Sequence, residues 1–256
     1  MTRFPTALHE EIAGLSGTFL AGHPSVDTVL VVNSCARGRA IPESDLDLAA
    51  LVTQAASLDE MHSLELAWRQ HLDGQGAVQQ FCRTSPFAQV HIDIFNGSFQ
   101  PTVWDDGGGP DDFELAIGNR VAYAEPLGKP GDHYVKLRRR WLPYYEDSLR
   151  EQRLEMVRST CLFDLDHVPF LVGRSLHFAA FDWFYKAYRE FLQALFIARR
   201  RYPLSYAKWI REQVHERLNL PELYKALPPL LSVSRLESTE LGDKADTLRR
   251  LVLQWT

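Results

Sequence analysis

Cysteine is scarce. Cys35, Cys82 and Cys161 are the only ones in 256 residues, and none stands at the close paired spacing of a zinc site or a disulfide framework. A reducing compartment suits such a chain, and the expectation is a cytoplasmic protein. Long apolar runs are missing too: nothing reaches the roughly 18 uninterrupted apolar residues of a membrane span. Glu10 and Glu11 stand where a secretory leader needs an apolar core. No membrane partner is expected. Basic excess is also lacking, since the net charge is -5, so there is no global field to hold nucleic acid. A nucleic-acid partner is disfavoured, with the Lys-Leu-Arg-Arg-Arg strip at 136–140 as a local exception that a solvated helix face explains as well. Neither an internal repeat nor a low-complexity tract is visible, which leaves out solenoids and arrays.

What is present reads as two halves. Leu8, Ile12, Leu15 and Phe19 recur at helical spacing, and the run from Val26 to Val32 then reads as a strand. Residues 45–52 and 89–95 supply two more strands, separated by an amphipathic helix from Leu58 to Leu72 that ends near Gly74. The Gly- and Asp-rich stretch 104–114 reads as a loop, and 119–127 as one further strand. Beyond about residue 134 glycine thins out, and Phe178, Phe181, Phe184, Tyr188, Phe191 and Leu195 step by threes and fours as one face of a long helix would. Pro169, Pro203, Pro221, Pro228 and Pro229 punctuate this part into several helices. The expected fold is an α/β domain with a mixed sheet over 1–130, followed by an all-α domain over 131–256.

The chemistry is concentrated in Asn33 to Leu51. In a strand, side chains alternate, so Asp45 and Asp47 project together while Leu46 and Leu48 point to the other side. Two neighbouring carboxylates repel unless a cation lies between them. Magnesium suits the position, because it takes oxygen ligands from one or two protein carboxylates and from substrate phosphates. Asp93 repeats the arrangement on the third strand, sharing a face with His91 and Phe95. If the strands are neighbours, three aspartates converge and can hold two metal ions for an in-line displacement at phosphorus. The Asn33-Ser-Cys-Ala-Arg-Gly38 turn would grip the phosphates with backbone N–H groups, the Ser34 hydroxyl and the Arg37 charge. Cys35 lies in this turn, but no base partner for a nucleophilic thiol is evident.

The small residue and Ser34, a gap of about ten residues, then Ser-Asp-Leu-Asp-Leu at 44–48 and His-Ile-Asp-Ile at 91–94 resemble the polymerase-beta-type nucleotidyltransferase superfamily. That resemblance implies Ser34 on the terminal phosphates, Ser44 beside them, and Asp45, Asp47 and Asp93 on the metals. Asn33 departs from the family pattern, which prefers Gly there; Asn tolerates unusual backbone angles better than most residues. With its helical second half, the chain is similar to bacterial small-molecule nucleotidyltransferases of the aminoglycoside and lincosamide type. This likeness implies that Arg200 or a neighbour and Lys208 reach the nucleotide phosphates from the C-terminal helices.

The resulting expectation is magnesium-dependent transfer of a nucleotidyl group, AMP from ATP, to a hydroxyl of a small acceptor, with release of pyrophosphate. Asp93 is the nearest base for the acceptor proton, and a carboxylate of the helical half is the alternative. Asp164, Asp166 and Asp182 would attract a cationic acceptor if they faced it. Two rival readings share the fold: a catalytically silent nucleotide-binding or toxin-partner module, and transfer to a protein or RNA acceptor.

Overall fold

The computed structural model describes residues 4–101 and 110–256. The chain forms two compact units, Met1–Gln100 with Ala116–Leu142, and Pro101–Leu115 with Pro143–Thr256. The division thus falls at Leu142 rather than at 130, and the short stretch before Ala116 counts with the second unit. Residues 104–109 of the expected loop lie outside the described residues.

The first unit opens with α1 (Ala7–Ala21), started by the Thr6 side chain, which accepts from the His9 amide at 3.3 Å. There follow β1 (Val26–Val31), the one-turn α2 (Asn33–Ala36), β2 (Leu46–Val52), α3 (Leu58–Asp73), α4 (Gly76–Cys82) and β3 (Val90–Phe95). The start of α3 is fixed by a reciprocal capping box in which the Glu60 amide donates to Ser57 Oγ at 3.2 Å and the Ser57 amide to Glu60 Oε2 at 2.7 Å. The boundary between units falls within α5 (Phe113–Ile117), and the first unit ends with β4 (Glu125–Pro126) and α6 (Asp132–Trp141).

The sheet is mixed, in the order β3-β2-β1-β4. β1 runs antiparallel to β2 and β4, and β2 parallel to β3. Leu46 and Leu48 pack with Ile12, Ala13 and Phe81, while Ala50 and Val52 pack with Leu20, Leu64 and Trp68. One face of β2 is therefore the hydrophobic seat of α1, α3 and α4, and the opposite face carries Asp47. Asp27 of β1 fastens α6: its carboxylate accepts the His133 and Tyr134 amides, both at 3.0 Å. Gly131 is required beside it, because a Cβ there would meet Asp27 Oδ1 at 2.3 Å.

The expected strand at 119–127 is a correction. Gly118–Ala122 forms a π-helical turn, closed by the Tyr123 amide on the Gly118 carbonyl at 2.9 Å, and only Glu125–Pro126 pairs with β1. Tertiary packing decided it: Val121 and Ile117 are fully buried, at helical rather than alternating spacing.

The second unit contains α7 (Asp147–Gly173), α8 (His177–Ala198), a π-helical turn at Arg211–Arg217, α9 (Pro221–Leu231) and α10 (Glu240–Trp255), with no strand among its described residues. Pro169 does not break the chain as expected; it sits inside α7, near its end, where a missing N–H removes a single bond. Pro228 and Pro229 likewise lie within α9, and Pro221 begins it. Phe184, Tyr188, Phe191 and Leu195 enter the core as their spacing requires, but Phe178 and Phe181 at the start of α8 are exposed.

A buried charge cluster ties residues 111–114 to α7 and α8. Arg153 forks onto Glu114 at 2.6 and 2.7 Å and onto Asp111 at 2.6 and 3.1 Å. Gln193 donates to both carboxylates, and the Tyr145 hydroxyl donates to Glu114 at 2.7 Å. Bidentate geometry and full hydrogen bonding are the conditions under which burying such charges is tolerable.

Candidate functional site

The turn and the aspartates are brought together by the β1–β2 pairing. Val31 stands opposite Leu48, and the Val32 amide donates to the Asp47 carbonyl at 3.1 Å, so the end of β1 lies beside the start of β2. The chain leaves β1 through Asn33, whose φ of 54° is left-handed, and enters the short α2. Asn is among the few non-glycine residues that adopt this region readily, and its presence where glycine would be expected is thereby accounted for. The first amides of a helical turn have no intrahelical acceptor, and here they belong to the Asn33-Ser34-Cys35 segment.

Ser44 lies just ahead of β2, in a tight turn. Its amide donates to the Ile41 carbonyl at 2.9 Å and its Oγ accepts the Ile41 amide at 3.0 Å. Behind it is a residue that sequence reasoning missed: the buried His9 ring, whose Nε2 is 3.1 Å from the Ser44 carbonyl and whose Nδ1 is 2.7 Å from Thr6 Oγ1. Burial lowers the His9 pKa, against the pull of the Ser44 carbonyl and of Asp45. A neutral imidazole thus braces the turn that precedes Asp45.

Asp45 and Asp47 flank the buried Leu46 and are half-buried. Their field is felt by Cys35, whose thiol is pushed up to about 12, first by burial and then by Asp47 and Asp45. The thiol is 3.9 Å from the Asp45 carbonyl, a further sign of how close the turn comes to the strand. Arg37 closes α2 and is half-buried.

Parallel pairing puts Asp47 opposite His91 and Ala49 opposite Asp93, so Asp47, His91 and Asp93 share one face of the sheet. Asp93 is not left to repel its neighbours. Arg120, from the π-helical turn, places its Nε on Asp93 Oδ2, and its guanidinium lies 5.3 Å from the centre of the Phe95 ring. Nothing in the sequence pointed to Arg120, which is 27 positions from its partner in a stretch read as a strand. Asp45 and Asp47 offer oxygen-only ligands of the kind a hard divalent cation takes. Among the described residues no group of three His, Cys, Asp or Glu side chains stands close enough to hold an ion.

Arg200 and Lys208 belong to the second unit. Arg200 follows the end of α8 with a φ of 51° and pairs with Asp147 at 2.6 Å, and Lys208 is exposed. Of the carboxylates expected to attract a cationic acceptor, Asp164 is fully buried against Lys186 at 2.8 Å, and Asp166 is paired with Arg249. Asp166 and Asp182 are both exposed, and Asp164 alone of the three is buried.

No protein-family model matches the chain, and no curated protein matches it. Among the described residues no helix is long and apolar enough to cross a membrane.

Proposed function

We propose that the chain is a nucleotidyltransferase: it transfers the nucleotidyl group of a nucleoside triphosphate, ATP by preference, to a hydroxyl of a small molecule and releases pyrophosphate. The observation that carries this reading is the pair Asp45 and Asp47 at the start of β2, set directly beside the left-handed Asn33 turn by the Val32–Asp47 backbone bond. Carboxylates next to a run of backbone amides make sense where a cation and an anion are bound together.

The donor set fits magnesium. Two carboxylates with phosphate oxygens completing the shell are a usual arrangement for that ion, and Arg120 on Asp93 marks the same face as one that accepts positive charge. When bound, the ion would withdraw charge from the phosphate oxygens. The residues would divide the rest of the work. Amides of the Asn33–Ala36 turn, the Ser34 hydroxyl and Arg37 hold the phosphates, with Ser44 beside them, and Asp45 and Asp47 hold the cation. The acceptor oxygen attacks the α-phosphorus, the bond from that phosphorus to pyrophosphate breaks, and the acceptor proton passes to a carboxylate, Asp93 in this reading, with a carboxylate of the helical half as the alternative.

The test is thermal stabilisation by ligand. ATP with magnesium should raise the melting temperature more than ATP with a chelator, since a ligand at a hundredfold excess over its Kd adds about 2.7 kcal/mol. Equal shifts with and without the ion would remove the metal from the reading. No shift with any nucleoside triphosphate would remove the reading itself.

A further inference from the structure

His9 joins the start of α1 to the residue just ahead of Asp45, and its partners fix how it does so. A carbonyl oxygen can only accept. The ring proton therefore sits on Nε2, 3.1 Å from the Ser44 carbonyl, and Nδ1 accepts the Thr6 hydroxyl at 2.7 Å. Thr6 Oγ1 in turn accepts the His9 amide at 3.3 Å as the cap of α1. The ring is fully buried, edge-on to Phe81 at 4.7 Å between centres, and burial favours the neutral form that these bonds require. At the other end of the path, Ser44 Oγ accepts the Ile41 amide at 3.0 Å, which leaves the hydroxyl proton for a further acceptor.

We propose that His9 is a positioning residue for the nucleotide site: its Nε2–H holds the Ser44 carbonyl, and Thr6, by occupying Nδ1, keeps the proton on Nε2, so that the Ser44 hydroxyl and Asp45 meet the triphosphate in one orientation. This rests on the nucleotidyltransferase reading of the turn and Asp45. Packing alone does not account for the residue. A leucine would fill the room beside Phe81 without the cost of burying an imidazole, a cost that both ring hydrogen bonds are needed to offset. The Nε2 bond reaches a carbonyl 35 positions away in sequence, and that carbonyl belongs to the planar peptide between Ser44 and Asp45. The orientation of this peptide is thus set before any ligand arrives, which spares part of the ordering cost at binding.

The experiment pairs amide hydrogen exchange and the ring-nitrogen NMR spectrum of His9 with calorimetric binding of α,β-methylene-ATP in the presence of magnesium, all on the full chain. Wild type should show the ring proton on Nε2. His9→Leu should speed exchange of the Ile41 and Ser44 amides and weaken nucleotide binding, each about fivefold, the scale of one lost hydrogen bond, while the β1–β2 ladder keeps its protection. His9→Gln, whose side-chain amide still donates to the Ser44 carbonyl, should recover most of both losses. Thr6→Val leaves Nδ1 without its donor and should act in the same direction, and Thr6→Ser should match wild type; this pair serves if the Leu variant folds poorly. A ring protonated on Nδ1, unchanged exchange at Ile41 and Ser44, or a loosened turn with undiminished nucleotide binding would overturn the proposal. No nucleotide binding by wild type would instead remove the nucleotidyltransferase reading and the use of the brace with it, and the exchange rates keep that failure apart from failure of the brace itself.

Discussion

Asp47 and His91 face each other across the parallel β2–β3 ladder, so that Asp93, two residues further on, stands opposite Ala49 on the same side of the sheet. A shift of one residue in this register would have sent Asp93 into the hydrophobic seat of α3 and α4. Register is held by Val90, Ile92 and Ile94, which pack with the clusters around Leu48 and Trp68. The position of the acidic face is thus decided by the apolar one.

The left-handed Asn33 makes the turn sensitive to the residue placed there. Asn33→Ala should lose about 1 kcal/mol of unfolding free energy, the cost of forcing a Cβ into this region, and Asn33→Gly should stay within a few tenths of wild type. Urea denaturation of both variants checks it. Equal stability of the Ala variant would mean that the turn relaxes out of the left-handed region.

Cys35 should be unreactive in the folded protein. With its thiol pushed up to about 12 by burial and by Asp47 and Asp45, it carries almost no thiolate at pH 8, and Cys161 is fully buried with its thiol raised well above the ordinary range by burial. Cys82 is exposed. A disulfide-exchange reagent should titrate a single fast thiol in the native protein, and Cys82→Ser should abolish it. A second fast thiol would show that the turn opens.

Glu190 makes stability pH-dependent. It is fully buried in α8, and its pKa is raised to about 8, first by burial and then by the charge of Asp164, with Lys186 opposing. The folded protein therefore keeps a proton that the unfolded chain releases near pH 4.5. Stability from this group is complete below about pH 4.5 and is lost as pH rises toward 8. Glu190→Gln removes the titration, so its melting temperature should vary less than that of wild type between pH 5 and 8. Parallel curves for the two proteins would contradict the assignment.

Breaking the buried cluster should be severe. Arg153→Met takes the guanidinium away from Glu114 and Asp111, while Gln193 still donates to both and Tyr145 to Glu114. A loss of about 3 to 5 kcal/mol is expected at neutral pH, measured by urea denaturation. A loss below about 1 kcal/mol, the scale of an exposed pair, would mean that water reaches the carboxylates.

The elements of the candidate site were legible where periodicity and burial agree. Alternation in Asp45-Leu-Asp-Leu and in Val90-His-Ile-Asp gave both strands and the acidic face, since each strand has one packed side. The 119–127 stretch was misread because Arg-Val-Ala-Tyr also alternates over so short a window, and the buried spacing that decides it, Ile117 to Val121, begins before the window does. Arg120 and His9 escaped notice for a different reason. Their partners, Asp93 and the Ser44 carbonyl, lie 27 and 35 positions away, and only tertiary contact joins them. The exposure of Phe178 and Phe181 was illegible too, because a stripe at helical spacing does not say where along the helix its covering ends.

The central claim is that Asp45 and Asp47 serve magnesium-dependent nucleotidyl transfer. The direct measurement follows the label of α-labelled ATP, together with pyrophosphate release, across a panel of aminoglycosides, lincosamides, transfer RNA and the protein itself. Wild type should move label to a hydroxyl-bearing small molecule only when magnesium is present, and folded Asp45→Asn and Asp47→Asn variants should lose that transfer by at least about a hundredfold, the lower range for removing a catalytic group. Label on transfer RNA or on protein alone would change the acceptor and keep the chemistry. Undiminished transfer by both Asn variants, or no transfer and no pyrophosphate from wild type with any acceptor, would contradict the account.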